Sequence, residues 1–400
     1  LDNETEVKQS DVSTNKVIEE KKSFEDLDIK KNILRGIYAY GFTEPSKIQM
    51  LTIPHIISGR ELIAQSQSGT GKTGAFTIGL LNLIVEEEQH PQGIIMCNTK
   101  ELADQIFSVA TELSKYTNIK IVLAIGGINP IKNYKESKTA HVLICTPGRL
   151  NDLLERKAFE PEKVKIFVLD EADEMLHSEF LEQTIRVTSN MVSTQMCIFS
   201  ATLPPETLEL TKKFMRDPVS ILIEKEKLSL GLITQYYVNV DHEQNKFITL
   251  ADLYDKLTIS QCIIYVNNVS RAEKLRDEME QNQHHVEVIH GKLDNKTRIN
   301  VMARFRRSEF RVLITTDLIC RGIDVQQVCY VINYDLPSNV HSYLHRIGRS
   351  GRFGKRGVAI NFVTNRDQYL LRNIERHYNV KIAELPNPSM LNSYVSELNN

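Results

Sequence analysis

Short β-branched runs alternate with helix-patterned segments along this chain, and they do so in two successive series. The first comprises Leu62–Ala64, Ile94–Cys97, Ile119–Ile125, Val142–Cys145, Ile166–Asp170 and Met196–Phe199. Such alternation predicts βαβ units, and hence a parallel sheet covered by helices on both faces. Between Glu224 and Leu230 a charged stretch carries neither signal, and the pattern then restarts through Ile233–Val240, Ile263–Val266, Val286–Ile289, Val312–Thr315, Tyr330–Asn333 and Val358–Val363. Two α/β domains in tandem follow, expected at 23–223 and 233–395 with a linker at 224–232 and a short tail at 396–400. A length of 400 residues suits that division. Residues 1–22 mix charged and small polar side chains with no aromatic residue and no sustained period, which reads as a solvated tail.

A chain with 41% hydrophobic and 25% charged residues has material for two cores and is neither disordered nor fibrous in character. Its formal net charge of -2 excludes a global pull toward nucleic acid, so any such binding has to come from local basic patches. Six cysteines stand singly, mostly inside apolar runs and without C-x-x-C spacing, as expected of buried reduced thiols in a reducing intracellular compartment. No stretch approaches the roughly 18 apolar residues of a membrane span. Leu1 is not an initiator methionine, which leaves room for residues upstream.

In open parallel sheets ligands gather beyond the carboxyl ends of the strands. Directly after Leu62–Ala64 comes Ser66-Gln67-Ser68-Gly69-Thr70-Gly71-Lys72-Thr73, followed by a helical pattern. Glycines let backbone N–H groups curl around phosphate oxygens, the lysine reaches the outer phosphates, and the Thr73 hydroxyl suits Mg²⁺. Ser66 stands where the general pattern has glycine, a place that needs only a small residue. A second apolar run, Ile166–Leu169, ends in Asp170-Glu171-Ala172-Asp173. Alone, those four could be an exposed acidic turn. After a buried strand in a chain with a phosphate loop, they read as Asp170 holding Mg²⁺ through water and Glu171 activating the attacking water. Farther on, His345-Arg346-Ile347-Gly348-Arg349-Ser350-Gly351-Arg352 places three arginines at three-residue spacing, with no acid between Asp335 and Asp367. Arginine clusters are usually solvated helix faces. Here the absent acids and added glycines favour fingers for a terminal phosphate; if they reach the first domain's nucleotide only when the domains close, ATP hydrolysis is coupled to that closure.

These signatures resemble the DEAD-box RNA helicases, and within them the eukaryotic initiation factor 4A group. The resemblance covers nearly the whole chain from Phe24 and rests on ten motifs in order: GFTEPSKIQ (41–49), AQSQSGTGKT (64–73), TKELA (99–103), GG (126–127), TPGR (146–149), DEAD (170–173), SAT (200–202), TTD (315–317), RGID (321–324) and HRIGRSGR (345–352). It implies two RecA-like domains that bind ATP and Mg²⁺, with Phe24 stacked on adenine, Gln49 bonded to its edge, and Asp324 on the ribose. Taken alone, Phe24 is a staple against the following helix. Arg349 and Arg352 resemble the phosphate fingers, and His345 and Arg346 the residues that link nucleotide to RNA. Ser200 and Thr202, with Asp173, resemble the group that couples hydrolysis to strand separation, although Ser-Ala-Thr after a strand is equally an ordinary helix cap.

By the same resemblance, RNA is met by Thr99, Lys100, Gly126, Gly127, Thr146, Gly148 and Arg149 in the first domain and by Asn267, Thr315 and Gly322 in the second. Small residues and backbone donors suit phosphate and 2′-OH recognition, so the expected partner is single-stranded or short duplex RNA of any sequence. Two departures stand out: Asn98-Thr99-Lys100 replaces Pro-Thr-Arg, and Cys320 replaces alanine. Lys100 keeps the charge but loses the guanidinium fork, so a weaker or less oriented grip is expected there. The resemblance further implies a cytoplasmic monomer, with the nucleus as the alternative place, and a protein scaffold of the initiation factor 4G type, although no segment identifies one. The rival readings are an ATP-gated RNA clamp in a splicing or messenger-ribonucleoprotein complex, a ribosome-assembly helicase, a DNA translocase, and a P-loop kinase. The last leaves the arginine series unexplained.

Overall fold

A computed structural model describes residues 23–66, 69–176, 180–222, 233–256, 261–317, 328–350 and 357–386. The chain divides into two compact units, Leu1–Glu224 and Lys225–Asn400. In the first, strands β1 (Leu62–Gln65), β2 (Gly93–Met96), β3 (Ile121–Ala124), β4 (Val142–Cys145), β5 (Ile166–Asp170), β6 (Gln195–Ser200) and β7 (Val219–Leu222) form one sheet in the order β3-β4-β2-β5-β6-β1-β7. In the second, β8 (Ile233–Asn239), β9 (Cys262–Tyr265), β10 (Val286–Ile289), β11 (Val312–Thr315), β12 (Tyr330–Asn333), β13 (Gly357–Val363) and β14 (Ala383–Glu384) form another in the order β10-β11-β9-β12-β13-β8-β14. Subtracting seven from each label of the second sheet reproduces the first, so the same winding is used twice. The strand pairings are parallel throughout the described residues. The sequence runs anticipated both sheets except for the edge strands β7 and β14. An edge strand has only one neighbour and half-exposed side chains, so it needs no strong apolar run.

Continuous apolar runs follow from burial on both faces. In β4 and β5, Val142, Ile144, Ile166 and Val168 point into one core with the helices Lys31–Tyr40, Lys47–Ile57, Lys72–Leu83 and Lys100–Leu113. Their neighbours Leu143, Cys145, Phe167 and Leu169 point into the other, with Leu150, Leu153 and Val187 from the helices Pro147–Glu155 and Leu181–Thr188. At Gly36 a Cβ would lie 2.0 Å from the carbonyl oxygen of Leu113, which is why two helices of the first core can touch backbone to backbone. Cys97, Cys145, Cys197 and Cys262 are free and buried, Cys329 is half-buried, and Cys320 lies outside the described residues. No helix among the described residues is long and apolar enough to cross a membrane.

Candidate nucleotide site and the two rows of strand-end loops

The phosphate loop leaves β1 and enters the helix Lys72–Leu83. Gly69 and Gly71 take left-handed conformations (φ +81° and +100°), which L side chains adopt only at a cost. Gly71 is doubly constrained, because a Cβ there would lie 2.7 Å from Ser46 Oγ and 2.9 Å from Gln49 Nε2. Gln49 fastens the loop: its Nε2 donates to the Gly71 carbonyl at 3.2 Å while its Oε1 accepts from Ser46 N at 2.9 Å. Ser66 and Thr70 share a hydroxyl hydrogen bond of 2.6 Å, and the buried Lys72 ammonium donates to the Ser66 carbonyl. Thr73 sits half-buried in the first helical turn. Gln67 and Ser68 lie outside the described residues.

Phe24 is corrected by this geometry. Its ring is fully buried, stacked on Phe42 at 6.4 Å and edge-on to Tyr38 at 6.2 Å. A ring with no exposed face cannot also receive a base. Phe42 is half-buried and lies by the loop, since a Cβ at Gly74 would meet its ring at 3.1 Å and Gln49 Nε2 at 2.6 Å. The aromatic beside Gln49 is therefore Phe42, with Phe24 behind it. Its place in GFTEPSKIQ, seven residues before Gln49, was the available signal.

At the end of β5, Asp170 and Glu171 are 3% and 4% exposed. Glu171 holds φ +52°, a strained conformation for a side-chain-bearing residue, of the kind that persists where surrounding structure dictates it. Its N–H donates to Asp170 Oδ1 at 3.0 Å, and its buried Oε2 has no hydrogen-bond partner among the described residues. Burial, then the neighbouring Glu171, pushes the Asp170 carboxyl up to about 7, against the pull of Lys72. Two adjacent buried carboxyl groups, one of them drawn on by Lys72 and the other with an oxygen unpartnered among the described residues, are the donor set that a hydrated divalent cation and a phosphate would complete.

Asp173, Ser200 and Thr202, the residues that the resemblance assigns to coupling, are hydrogen-bonded to one another. β5 and β6 are neighbours, with Asp170 opposite Phe199. Thr202 Oγ1 donates to Asp173 Oδ2 at 2.6 Å, and Ser200 Oγ donates to the Thr202 carbonyl at 2.6 Å while accepting from Asp173 N at 3.4 Å.

Sheet order separates two rows of loops. β5, β6 and β1 are adjacent and carry the acidic tetrad, Ser200–Thr202 and the phosphate loop, whereas β3, β4 and β2 carry the residues expected to meet RNA. Thr99 caps the helix Lys100–Leu113 by accepting from Leu102 N at 3.2 Å, and Thr146 stands at the N-terminus of the helix Pro147–Glu155, ahead of Gly148. Lys100 lies against Gly126, where a Cβ would be 3.1 Å from its Cε, and Gly127 has φ +96°. Arg149 does not present a free fork. Its Nη1 donates to Asn133 Oδ1 and its Nη2 to the Ile128 carbonyl, both at 3.0 Å, so it braces the double-glycine loop. Asn133, itself anchored on the Leu123 carbonyl at 3.0 Å, carried no motif signal.

In the second unit, Gly322, Asp324 and Arg352 lie outside the described residues. Arg346 is 1% exposed and spends its donors inside the unit. Nε and Nη2 engage the Asp317 carboxylate, Nη1 reaches Asn333 Oδ1 at 3.3 Å and the Asp335 carbonyl at 2.6 Å, and Nη2 also reaches Asn267 Oδ1 at 2.8 Å. Asn267 is equally committed, since its Nδ2 donates to the Leu336 carbonyl at 2.9 Å and its N–H to Asp335 Oδ2 at 3.1 Å. Thr315 is fully buried and its Oγ1 donates to the Thr316 carbonyl at 3.1 Å. Asn267, which the resemblance expects to meet RNA, thus has its side chain hydrogen-bonded within the unit. Arg349, 2% exposed, donates from Nε to the carbonyl of the buried His345 at 2.9 Å.

A glycine phosphate loop, a strand-end acid pair and a repeated parallel winding define a nucleotide hydrolase built from two RecA-like α/β units, of which the first carries the phosphate loop and the acids. The DEAD/DEAH box helicase model matches residues 46–211, the helicase conserved C-terminal domain model matches residues 245–354, and the chain belongs to the DEAD/DEAH box helicase family. It is 46% identical over 378 residues to the ATP-dependent RNA helicase eIF4A of Kluyveromyces lactis, covering 94% of each chain. It is 45% identical over 366 residues to eukaryotic initiation factor 4A of Caenorhabditis elegans, covering 91% of each. Among solved structures it resembles Saccharomyces cerevisiae Dbp5 bound to RNA and ADP BeF3, with a TM-score of 0.88 at 34% identity over 94% of this chain and 100% of that one.

Proposed function

We propose that this protein is an ATP-dependent RNA helicase that grips single-stranded RNA without regard to sequence and melts short duplexes locally in translation initiation. The observation that carries the reading is the Thr202–Asp173 hydrogen bond, which ties the strand-end acids to the neighbouring Ser-Ala-Thr loop. The likeness to initiation factors 4A over nine-tenths of the chain supports the cellular role.

Residues 66–73 cradle the phosphates, with Lys72 leaving the Ser66 carbonyl to meet them, while Gln49 reads the base edge beside Phe42. Mg²⁺, held by Thr73 and Asp170, would neutralise phosphate charge. Glu171 Oε2, buried and without a partner among the described residues, takes the proton of the attacking water. Arg349 and Arg352 supply the remaining positive charge, which makes turnover depend on both units. Asp324 takes the ribose. RNA lies along the loops after β2, β3 and β4 and those after β9 and β11, where backbone donors and helix N-termini take phosphates. A scaffold of the initiation factor 4G type is the expected partner, a monomer the working state, and the cytoplasm the compartment.

The test is a duplex-unwinding assay run beside an RNA-stimulated ATPase assay with matched DNA. The reading expects stimulation by RNA over DNA, melting confined to short duplexes, and steep loss with salt. Equal stimulation by DNA overturns it. RNA that stays bound through many turnovers makes the protein a clamp instead.

A further inference from the structure

The second unit holds a connected set of charges, buried at Lys246 and Asp335 and open to solvent at Glu243, that the proposed chemistry leaves without a task. Asp335, at the end of β12, is its hub. Lys246 Nζ, on a side chain only 2% exposed, lies 3.0 Å from Asp335 Oδ1, and Arg271 Nε lies 2.8 Å from Oδ2. Glu243 completes the charge balance by pairing with Lys246 at 2.9 Å and with Arg271. The Tyr334 ring roofs the pair, 5.7 Å from the Lys246 ammonium and 5.2 Å from the Arg271 guanidinium. The same Asp335 accepts Asn267 N on its carboxylate and Arg346 Nη1 on its carbonyl.

We propose that Lys246 and Asp335 are a positioning pair that sets Asn267 and the helix Val340–Ile347 relative to each other, so that RNA-stimulated turnover depends on a lysine touching neither RNA nor nucleotide. This rests on the helicase reading above. Two buried charges stabilise a fold no better than apolar groups of the same size. What such a pair does supply is a unique geometry. One carboxylate here fixes the strand end that shapes the Asn267 loop and, through Arg346, the helix that carries His345 and leads to Arg349.

Full-length Lys246→Met, Lys246→Arg and wild type are compared for urea midpoint, nucleotide affinity without RNA, and the kcat and half-saturating RNA of ATP turnover. For folded Lys246→Met the expected result is a ~10- to 100-fold lower RNA-stimulated kcat, because small misplacements far from the reacting atoms cost that much. Nucleotide affinity without RNA stays within about twofold, and Lys246→Arg recovers at least about half of the lost rate. Should Lys246→Met not fold, Arg271→Met, at a one-third exposed side chain on the same carboxylate, carries the test. An RNA-stimulated kcat and RNA half-saturation within about twofold of wild type in the folded variant overturn the proposal, as does a Lys246→Arg no better than Lys246→Met. Wild type that RNA does not stimulate overturns the helicase reading itself, a result distinguishable from either.

Discussion

The acid end of the first sheet and the arginine end of the second are both buried and both charged, yet they treat charge in opposite ways. Asp170 and Glu171 sit side by side with one nearby lysine, and Glu171 Oε2 has no partner among the described residues. Around Asp335, three cations (Lys246, Arg271, Arg346) meet three carboxylates (Asp335, Glu243, Asp317), and every arginine nitrogen of Arg346 is in use. Unmatched buried charge is costly and persists where a ligand completes it, whereas matched buried charge defines geometry. The first end thus carries the unmatched charge that a nucleotide-binding site needs, and the second a matched set that fixes side-chain geometry within its own unit.

Arg349→Ala probes an arginine beyond that matched set that is proposed to face phosphate, and should lower RNA-stimulated ATPase kcat by about 10³- to 10⁵-fold. An effect below tenfold would leave Arg349 a structural residue. Glu171→Gln keeps the shape of the unmatched end and removes its base, so turnover should fall by about 10²- to 10⁴-fold with nucleotide and RNA still bound. Brisk turnover in that variant would take Glu171 out of its role. Thr202→Val deletes the donor to Asp173 and leaves a buried carboxylate oxygen short of a partner, worth ~1–3 kcal/mol. Unwinding should suffer more than ATP turnover, and equal losses in the paired assays would count against coupling.

The smallest effect is a slope with pH. Burial holds the Asp170 proton up to about 7, while an unfolded aspartate releases it near ~4. The folded state then binds more protons across that window, so this group's contribution is full below about 4 and is lost as pH rises through about 7. In the nucleotide-free protein the urea midpoint should fall between roughly pH 5 and 8, and Asp170→Asn should flatten the fall. An unchanged slope in the variant would assign it to other groups.

Both sheets, the phosphate loop and the acid tetrad were legible in the amino-acid string because each is local. A β-branched run followed by Gly69-Thr70-Gly71-Lys72 or by Asp170-Glu171 carries strand, turn and chemistry within about a dozen residues. The partners of long side chains were not legible. Phe24 and Phe42 are both aromatic and both precede Gln49, and only packing decides which ring is sealed inside and which stands by the loop. Arg149 and Asn267 look like free hands for RNA until Asn133 and Arg346, 16 and 79 positions away, are found holding them. Asp335 stood out only as the last acid before an acid-free stretch, with nothing local to mark Lys246 and Arg271 as its partners.

What the sequence determined by itself is the twice-used parallel winding and the residues at the strand ends, since burial on both faces forces apolar runs and phosphate cradling forces glycines. Tertiary structure alone decided which charges are spent internally and which are left open. That division depends on side chains brought together across strands, where a few ångströms separate a matched ion pair from an orphaned carboxylate, and no local pattern encodes that distance.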